Sequence, residues 1–204
     1  MLSAILAGAV LGLSSGLAPG PLLTLVIAQT LRHGPKEGMI VAVAPLLTDV
    51  PIVLLALLVV GTVGRYGALP GILSLCGGIY VIHLAWETFR SAPAGTGGIA
   101  EAPRSIRKGA LVNFLNPHPY LLWITVGAPM IFRAKEEGTV EPLLFVGSFY
   151  VLLVGSKLAV ALLTGKARDF LGGKAYRRIM KTLAALLVLF AFFLLREGLR
   201  LLVR

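Results

Sequence analysis

The chain has 204 residues, of which 57% are hydrophobic and 14% are charged, whereas a soluble domain is typically about a quarter charged. This composition excludes an ordinary water-soluble domain. The net charge of +10 comes from basic residues that lie between apolar stretches, which predicts contact with lipid headgroups and the cytoplasm and not with nucleic acid.

Six stretches are apolar and long enough to cross the hydrocarbon core as helices, which takes about 20 residues. They run approximately over residues 2–31, 38–61, 69–89, 109–132, 142–164 and 182–203. The first lacks a charged leader and continues past position 25, so we expect a retained span and not a signal peptide. The last is the weakest, because its uninterrupted apolar run is short and its outer end has the composition of an interfacial extension.

Prolines interrupt two of these spans at corresponding places in the two halves of the chain. The first interruption covers residues 16–21, Gly-Leu-Ala-Pro-Gly-Pro, and the second covers residues 113–119, Asn-Phe-Leu-Asn-Pro-His-Pro. Proline removes a backbone donor and clashes with the preceding turn, so a helix must kink or unwind there. Irregular backbone at membrane depth is tolerated only against protein or a water-filled cavity, and paired broken helices indicate a transporter's substrate site.

The candidate substrate-binding residues are therefore those of the two breaks: Gly16, Pro19, Gly20, Pro21, Asn113, Asn116 and Pro117. Each has a second interpretation that the sequence leaves open. The asparagine amides either bind substrate or repair the backbone freed by the prolines. The glycines either let a ligand approach the backbone or let helices pack closely, and the helix starting near Pro21 would direct its positive end towards an anion.

Two ionisable residues lie inside predicted spans: Asp49 in the second and Lys157 in the fifth. A carboxylate at that depth costs about 2.5–3.5 kcal/mol on insertion scales, so Asp49 is expected to face the protein interior. One interpretation is a direct Asp49–Lys157 ion pair that couples transport to a proton. The other is that Lys157 extends to the membrane interface and Asp49 is a neutral, hydrogen-bonded core residue.

The remaining polar residues do not form a recognisable catalytic or metal-binding pattern. Tyr80, His83 and Glu87 follow helical spacing at the end of the third span and are interpreted as an interface anchor. His118 alone is weak evidence for a metal, and the single cysteine, Cys76, excludes a disulfide or a cysteine zinc cluster. Nucleophile-elbow and phosphate-loop motifs are absent, so neither an enzyme nor a cofactor is predicted.

Three spans in each half make an odd number, so two repeated halves would have opposite orientations in the membrane. We predict one transmembrane domain over residues 1–204, with repeat one at about 1–90, a flexible linker at about 91–107 and repeat two at about 108–204. Lys and Arg are concentrated in the connections after spans one, three and five. The positive-inside rule therefore predicts that both termini lie outside the cytoplasm of a multi-pass plasma-membrane protein.

Three segments resemble the LysE-type (LysE/RhtB) amino-acid exporter family: Gly-Leu-Ala-Pro-Gly-Pro at 16–21, Gly-Gly-Ile-Tyr at 77–80 and Lys-Gly-Ala-Leu-Val-Asn-Phe-Leu-Asn-Pro at 108–117. The resemblance covers nearly the whole chain. It implies six helices in two inverted three-helix halves, and efflux of amino acids driven by the proton motive force. His118 stands where members of this family commonly have a lysine.

Together these features predict a secondary transporter that exports basic or small neutral amino acids, with lipid and a small-molecule substrate as partners and a homo-oligomer as a further possibility. Two alternatives use the same residues. One is export of a metal cation or another small metabolite, with Asp49, His118 and the asparagines as ligands. The other is a membrane scaffold whose polar residues serve only helix packing.

Overall fold

The computed structural model describes residues 1–62, 69–90, 102–168, 170–171 and 173–202, and these residues are helical apart from short connections. Most of the predicted linker, at 91–101, lies outside the described residues, as does the end of the predicted last span at Val203. The helices are α1 Leu2–Leu17, α2 Pro21–His33, α3 Pro35–Ala42, α4 Ala44–Thr62, α5 Leu69–Phe89, α6 Ser105–Phe114, α7 Pro117–Leu122, a π-helical turn Trp123–Gly127, α8 Ala128–Glu137, α9 Glu141–Arg168 and α10 Gly173–Leu202.

Both predicted helix breaks are present. α1 ends at Leu17 and α2 begins at Pro21, with a bend of 60° between them. In the second half, α6 ends at Phe114 and α7 begins at Pro117. Each new helix starts on a proline, whose missing N–H would have had no intrahelical partner at that position.

Three helical segments of the described chain are long and apolar enough to cross a membrane by themselves: 35–58, 141–168 and 173–200. A fourth is obtained when the bent pair α1 and α2 counts as one span. The last helix, α10, is continuous over 30 residues and begins at Gly173, nine positions before the predicted start. The chain is therefore an all-α protein with three to four such spans, and the number six stays a prediction.

Contacts between helix ends define two sides of the molecule. On one side, which we call the basic side, Arg168 at the end of α9 lies beside Gly34, and Lys181 Nζ lies 5.7 Å from the ring centroid of Phe89. On the opposite side, the amino terminus lies 3.8 Å from the carboxylate of Glu141. The helix ends therefore lie at two opposite sides of the molecule, as expected for a helical bundle that crosses a membrane.

Glycines allow the closest helix contacts. Gly8, Gly12 and Gly16 follow one face of α1 and are buried against α9, where a Cβ at Gly12 would collide with the carbonyl oxygen of Phe149. A Cβ on Gly109 of α6 would likewise crowd the junction of α3 and α4. α5 and α10 form the third close pair. Because the backbones approach this closely, polar side chains on α9 reach the end of α1.

Candidate functional site

A cavity of about 360 Å³ lies where the two helix breaks meet. This volume is at the lower end of the range of about 300–1,000 Å³ that is typical of small-molecule sites. The cavity lining includes all but one of the predicted site residues: Pro19, Gly20, Pro21, Asp49, Asn113, Asn116, Pro117 and Lys157. The exception, Gly16, is buried beside it and contributes a backbone carbonyl to the same network. Residues that are far apart in the sequence therefore converge on one space.

Lys157 binds the end of the first broken helix. Its side chain is 3% exposed, and its Nζ donates hydrogen bonds to the carbonyl oxygens of Gly16 at 3.0 Å and Ser15 at 3.3 Å. These carbonyls belong to the last turn of α1, where helical partners are lacking and the helix dipole is negative. A cation at this position therefore satisfies the freed backbone and is favoured by the local field.

Asp49 forms the corresponding contact at the second break. Asn113, near the end of α6, donates its amide to Asp49 Oδ1 at 2.6 Å and to the hydroxyl oxygen of Thr48 at 2.7 Å. The hydroxyl of Tyr150 on α9 donates to Asp49 Oδ2 at 3.3 Å. Asp49 is 4% exposed, so it faces the protein interior and joins α4, α6 and α9.

These contacts correct one expectation. Among the described residues, Asp49 and Lys157 do not form the direct ion pair that was one interpretation of the sequence. Each charged group instead forms hydrogen bonds with a broken helix: Lys157 with the carbonyls at the end of α1, and Asp49 with the amide of Asn113 in α6. Both groups nevertheless line the same cavity. The positive charge of Lys157 is held by backbone dipoles, while the Asp49 carboxyl is held by an amide and a hydroxyl.

Asn116 repairs the backbone at the second break. Its side-chain oxygen accepts a hydrogen bond from the backbone N–H of His118 at 3.0 Å, which caps the start of α7. The hydroxyl of Tyr120 donates to the carbonyl of Phe114 at 3.0 Å, at the end of α6. Asn116 therefore both caps a helix and lines the cavity, two roles that the sequence left open as alternatives.

The structure also adds lining residues that the sequence did not single out for the site. Phe190, Phe193 and Glu197 of α10 line the cavity, and Glu197 Oε2 lies 3.7 Å from Arg200. Their contribution depends on how the last helix packs, for which the sequence carries no signal. Tyr150 does not line the cavity but contacts Asp49, and its spacing of seven residues from Lys157, which puts both on one face of α9, is a signal that the sequence does carry.

A second cluster of charges connects three helices on the basic side. The Glu87 carboxylate of α5 accepts a hydrogen bond from Arg32 of α2 at 2.7 Å and another from Lys108 of α6. All three side chains are largely buried, with exposed fractions of 11–15%. Glu87 is therefore part of a buried ion cluster. Trp86 and Phe89 beside it remain exposed, as an interface anchor would be.

The donor set of the first cavity does not resemble a metal site. In the part of the chain that the structure describes, no three His, Cys, Asp or Glu residues lie close enough together to hold a metal ion. The lining instead offers one ammonium, carboxyl groups, amides and apolar rings. Such a mixture is suited to a small organic molecule with both polar and apolar parts.

Comparison with known proteins identifies the family. The family model described as LysE type translocator matches residues 13–198, which includes both helix breaks, Asp49, Lys157 and most of α10. No curated protein and no solved structure matches the chain. The family consists of transporters, so the protein is a membrane transporter and not an enzyme. The chain belongs to the LysE type translocator family.

Proposed function

We propose that this protein is a secondary transporter that exports amino acids, basic or small neutral, from the cytoplasm. The observation that carries the proposal is the single cavity in which two broken helices, a buried lysine and a buried aspartate meet. Broken helices in corresponding positions of two halves are the arrangement in which transporters bind substrates near the bilayer midplane. Membership of the family supports the same class of cargo.

The charges of the cavity suit a zwitterion. The ammonium of Lys157 and the first turn of α2, which begins at Pro21, present positive potential to a substrate carboxylate. The carboxyl group of Asp49 and the carbonyls around the breaks present acceptors to a substrate ammonium group. A substrate with both groups would therefore be oriented across the cavity, with its side chain towards the apolar lining from α10.

Proton coupling is assigned to Asp49 in this proposal. The Asp49 carboxyl group is held by a neutral amide and a neutral hydroxyl, and among the described residues it forms no ion pair, so it is free to exchange a proton or to bind a cationic group. A substrate ammonium and a proton would then compete for the same carboxylate. Alternating occupation of Asp49 by the two cations would link export to the proton gradient.

We further propose that the fold consists of six spans in two inverted halves. Two packing relations support this. Gly16 at the end of α1 packs against α9, and Gly109 in α6 packs against the α3–α4 junction. In two equivalent halves, span one corresponds to span four and span two corresponds to span five. The packing of span one on span five is therefore the counterpart of the packing of span four on span two. α5 and α10, the third members of each half, pack against each other.

The orientation follows from charge. Arg32, Lys108 and Arg168 lie on the basic side, and this side is proposed to face the cytoplasm. Both termini would then lie outside the plasma membrane. Cysteines introduced at Ser3 and at Lys174 in a Cys76→Ala background are labelled with an impermeant maleimide on intact cells, and only the Ser3 position should react.

The function is tested with the full chain in proteoliposomes that carry an imposed pH gradient. A panel of radiolabelled amino acids is loaded, and we expect efflux of at least one basic or small neutral amino acid to accelerate with the gradient. The Asp49→Asn variant should lose the acceleration, and Glu136→Gln, at an exposed position, should keep it. Efflux of metal cations or other metabolites with none of amino acids would favour the alternative cargo, and no counterflow of any solute would favour a scaffold.

A further inference from the structure

A second cavity, of about 350 Å³, lies between α5 and the start of α6 on the basic side. Its lining is polar, with Tyr80, His83 and Glu87 from α5 and Arg104, Arg107 and Lys108 from the segment that opens α6. None of these residues lines the first cavity. The interface-anchor interpretation of Tyr80, His83 and Glu87 does not account for a polar, half-open cavity at this position.

The charges of this second cavity are unbalanced. Three cationic side chains line it, and Glu87 is the one carboxylate among the described lining residues. Glu87 is already bonded to Lys108 and to Arg32, which does not line the cavity. Neither Arg104 nor Arg107 forms an ion pair with a carboxylate of the described residues. The lining therefore carries a net positive charge, so an anion that enters the cavity would be attracted to it.

The donors are of the kind that recognise phosphate. The guanidinium groups of Arg104 and Arg107 offer forked pairs of N–H donors, which match phosphate oxygens bidentately. The hydroxyl of Tyr80 and the imidazole of His83 add donors from α5. α6 begins at Ser105, between the two arginines, so both lie at the start of this helix.

The location of the cavity favours a lipid headgroup as the source of the phosphate. Trp86 and Phe89, on the same end of α5, are exposed by 56% and 52%, and Ile106 is exposed in the first turn of α6. Exposed aromatic rings at the end of a membrane helix mark the level of the headgroups. Basic pockets between helices at this level bind anionic headgroups.

We propose that the cavity between α5 and α6 binds a phosphate group, supplied by an anionic phospholipid of the adjacent leaflet. Arg104 and Arg107 bind the phosphate oxygens, while Lys108 and Glu87 anchor the inner wall. The bound lipid fixes the end of α5 to the start of α6 and thereby stabilises the folded transporter. This proposal concerns a site apart from the first cavity and does not depend on the identity of the transported solute.

The experiment uses the purified full-length protein in neutral detergent. The midpoint of thermal unfolding is measured after addition of phosphatidylglycerol, of phosphatidylcholine, or of inorganic phosphate at an ionic strength matched with chloride. The native protein should be stabilised by phosphatidylglycerol more than by phosphatidylcholine. Stabilisation by inorganic phosphate as well would extend the ligand to free phosphate, whereas no effect of inorganic phosphate would assign the site to lipid.

The test variant is Arg104→Gln with Arg107→Gln, and its matched control is Arg177→Gln with Arg178→Gln. The control removes the same charge from exposed arginines of α10 on the basic side. The shift caused by phosphatidylglycerol should be at least about twofold smaller in the test variant and unchanged in the control. The single variant Arg107→Gln replaces the test variant if the latter does not fold, with a smaller loss expected.

Native mass spectrometry of the same samples provides a second measurement. The native protein and the control should retain phosphatidylglycerol, and the test variant should retain less. Two results would overturn the proposal: equal stabilisation of test variant and control, which would indicate diffuse attraction of basic helix ends to anionic lipid, or no preference of the native protein for phosphatidylglycerol over phosphatidylcholine.

Discussion

The ammonium group of Lys157 donates a hydrogen bond to the backbone carbonyl of Gly16, 3.0 Å away, although the two residues are 141 positions apart in the sequence. This contact gives a positively charged partner to a carbonyl that the break after α1 leaves without a helical donor. The prolines at 19 and 21 cause the break, and Lys157 stabilises the broken end beside the cavity.

Replacing Lys157 with methionine tests the importance of this contact. The side chain becomes one atom shorter and loses its charge and donors, so the carbonyls of Ser15 and Gly16 lose this partner. Hydrogen bonds from charged groups contribute about 1.5–3 kcal/mol each, and we expect amino-acid efflux to fall about 10-fold or more. Efflux from proteoliposomes is the measurement. Lys166→Met, at an exposed position on the same helix, is the control and should transport normally; equal rates in both variants would contradict the expected role.

Asp49→Asn is expected to separate transport from its driving force. Asparagine keeps the shape of the side chain but cannot exchange a proton, so the charge at this position no longer changes with pH. Efflux by this variant should become independent of the imposed proton gradient, whereas the native rate should rise with it. The measurement is the efflux rate of the native protein and of the variant at several imposed pH gradients. A variant that still responds to the gradient as the native protein does would remove Asp49 from the coupling mechanism.

The packing of α1 against α9 predicts a strong effect of one added methyl group. Gly12→Ala brings a Cβ against the backbone of Phe149, which cannot move without shifting α9. Overpacking of this kind costs about 1–3 kcal/mol, so the midpoint of thermal unfolding should fall. Gly147→Ala is the matched control, because a Cβ at that position on α9 meets nothing within 4 Å. The control should be neutral or slightly stabilising, since alanine favours the helix.

The buried ion cluster on the basic side predicts that Glu87→Gln destabilises the fold. The glutamine still accepts a hydrogen bond but no longer balances the charges of Arg32 and Lys108. Removing one member of a buried ion pair costs about 3–5 kcal/mol in general, and this cluster should approach the lower value because its side chains keep some exposure. Thermal unfolding of Glu87→Gln and of the exposed control Glu136→Gln provides the comparison. Equal midpoints would show that the cluster contributes little.

Much of the local structure could be predicted from the sequence. The proline segments at 16–21 and 113–119 fall at the helix breaks, and α5 has the predicted bounds of 69 and 89. Proline and the length of an apolar run act within a few residues of the chain, so their effects can be read locally. The start of α10 was misplaced because its first turns are basic, and charged helix ends at the membrane surface do not differ in composition from loops.

The partners within the site could not be predicted, because they depend on how helices from distant parts of the chain pack. The presence of Asp49 and Lys157 inside predicted spans left a direct pair as one interpretation, but the sequence does not specify which face of a helix meets which neighbour. Close approach at Gly12 and Gly16 brings Lys157 to the backbone of α1 instead. The entry of Glu197 into the cavity likewise follows from the course of α10.

Each half of the chain completes the broken helix of the other. Lys157, from the second half, terminates α1 of the first, and Asp49, from the first half, holds Asn113 beside the break of the second. Neither half expressed by itself would contain a finished binding chamber. Alternating exposure of the cavity to the two membrane faces requires the halves to move relative to each other. Such a movement must strain or break both the Lys157–Gly16 and the Asp49–Asn113 hydrogen bonds.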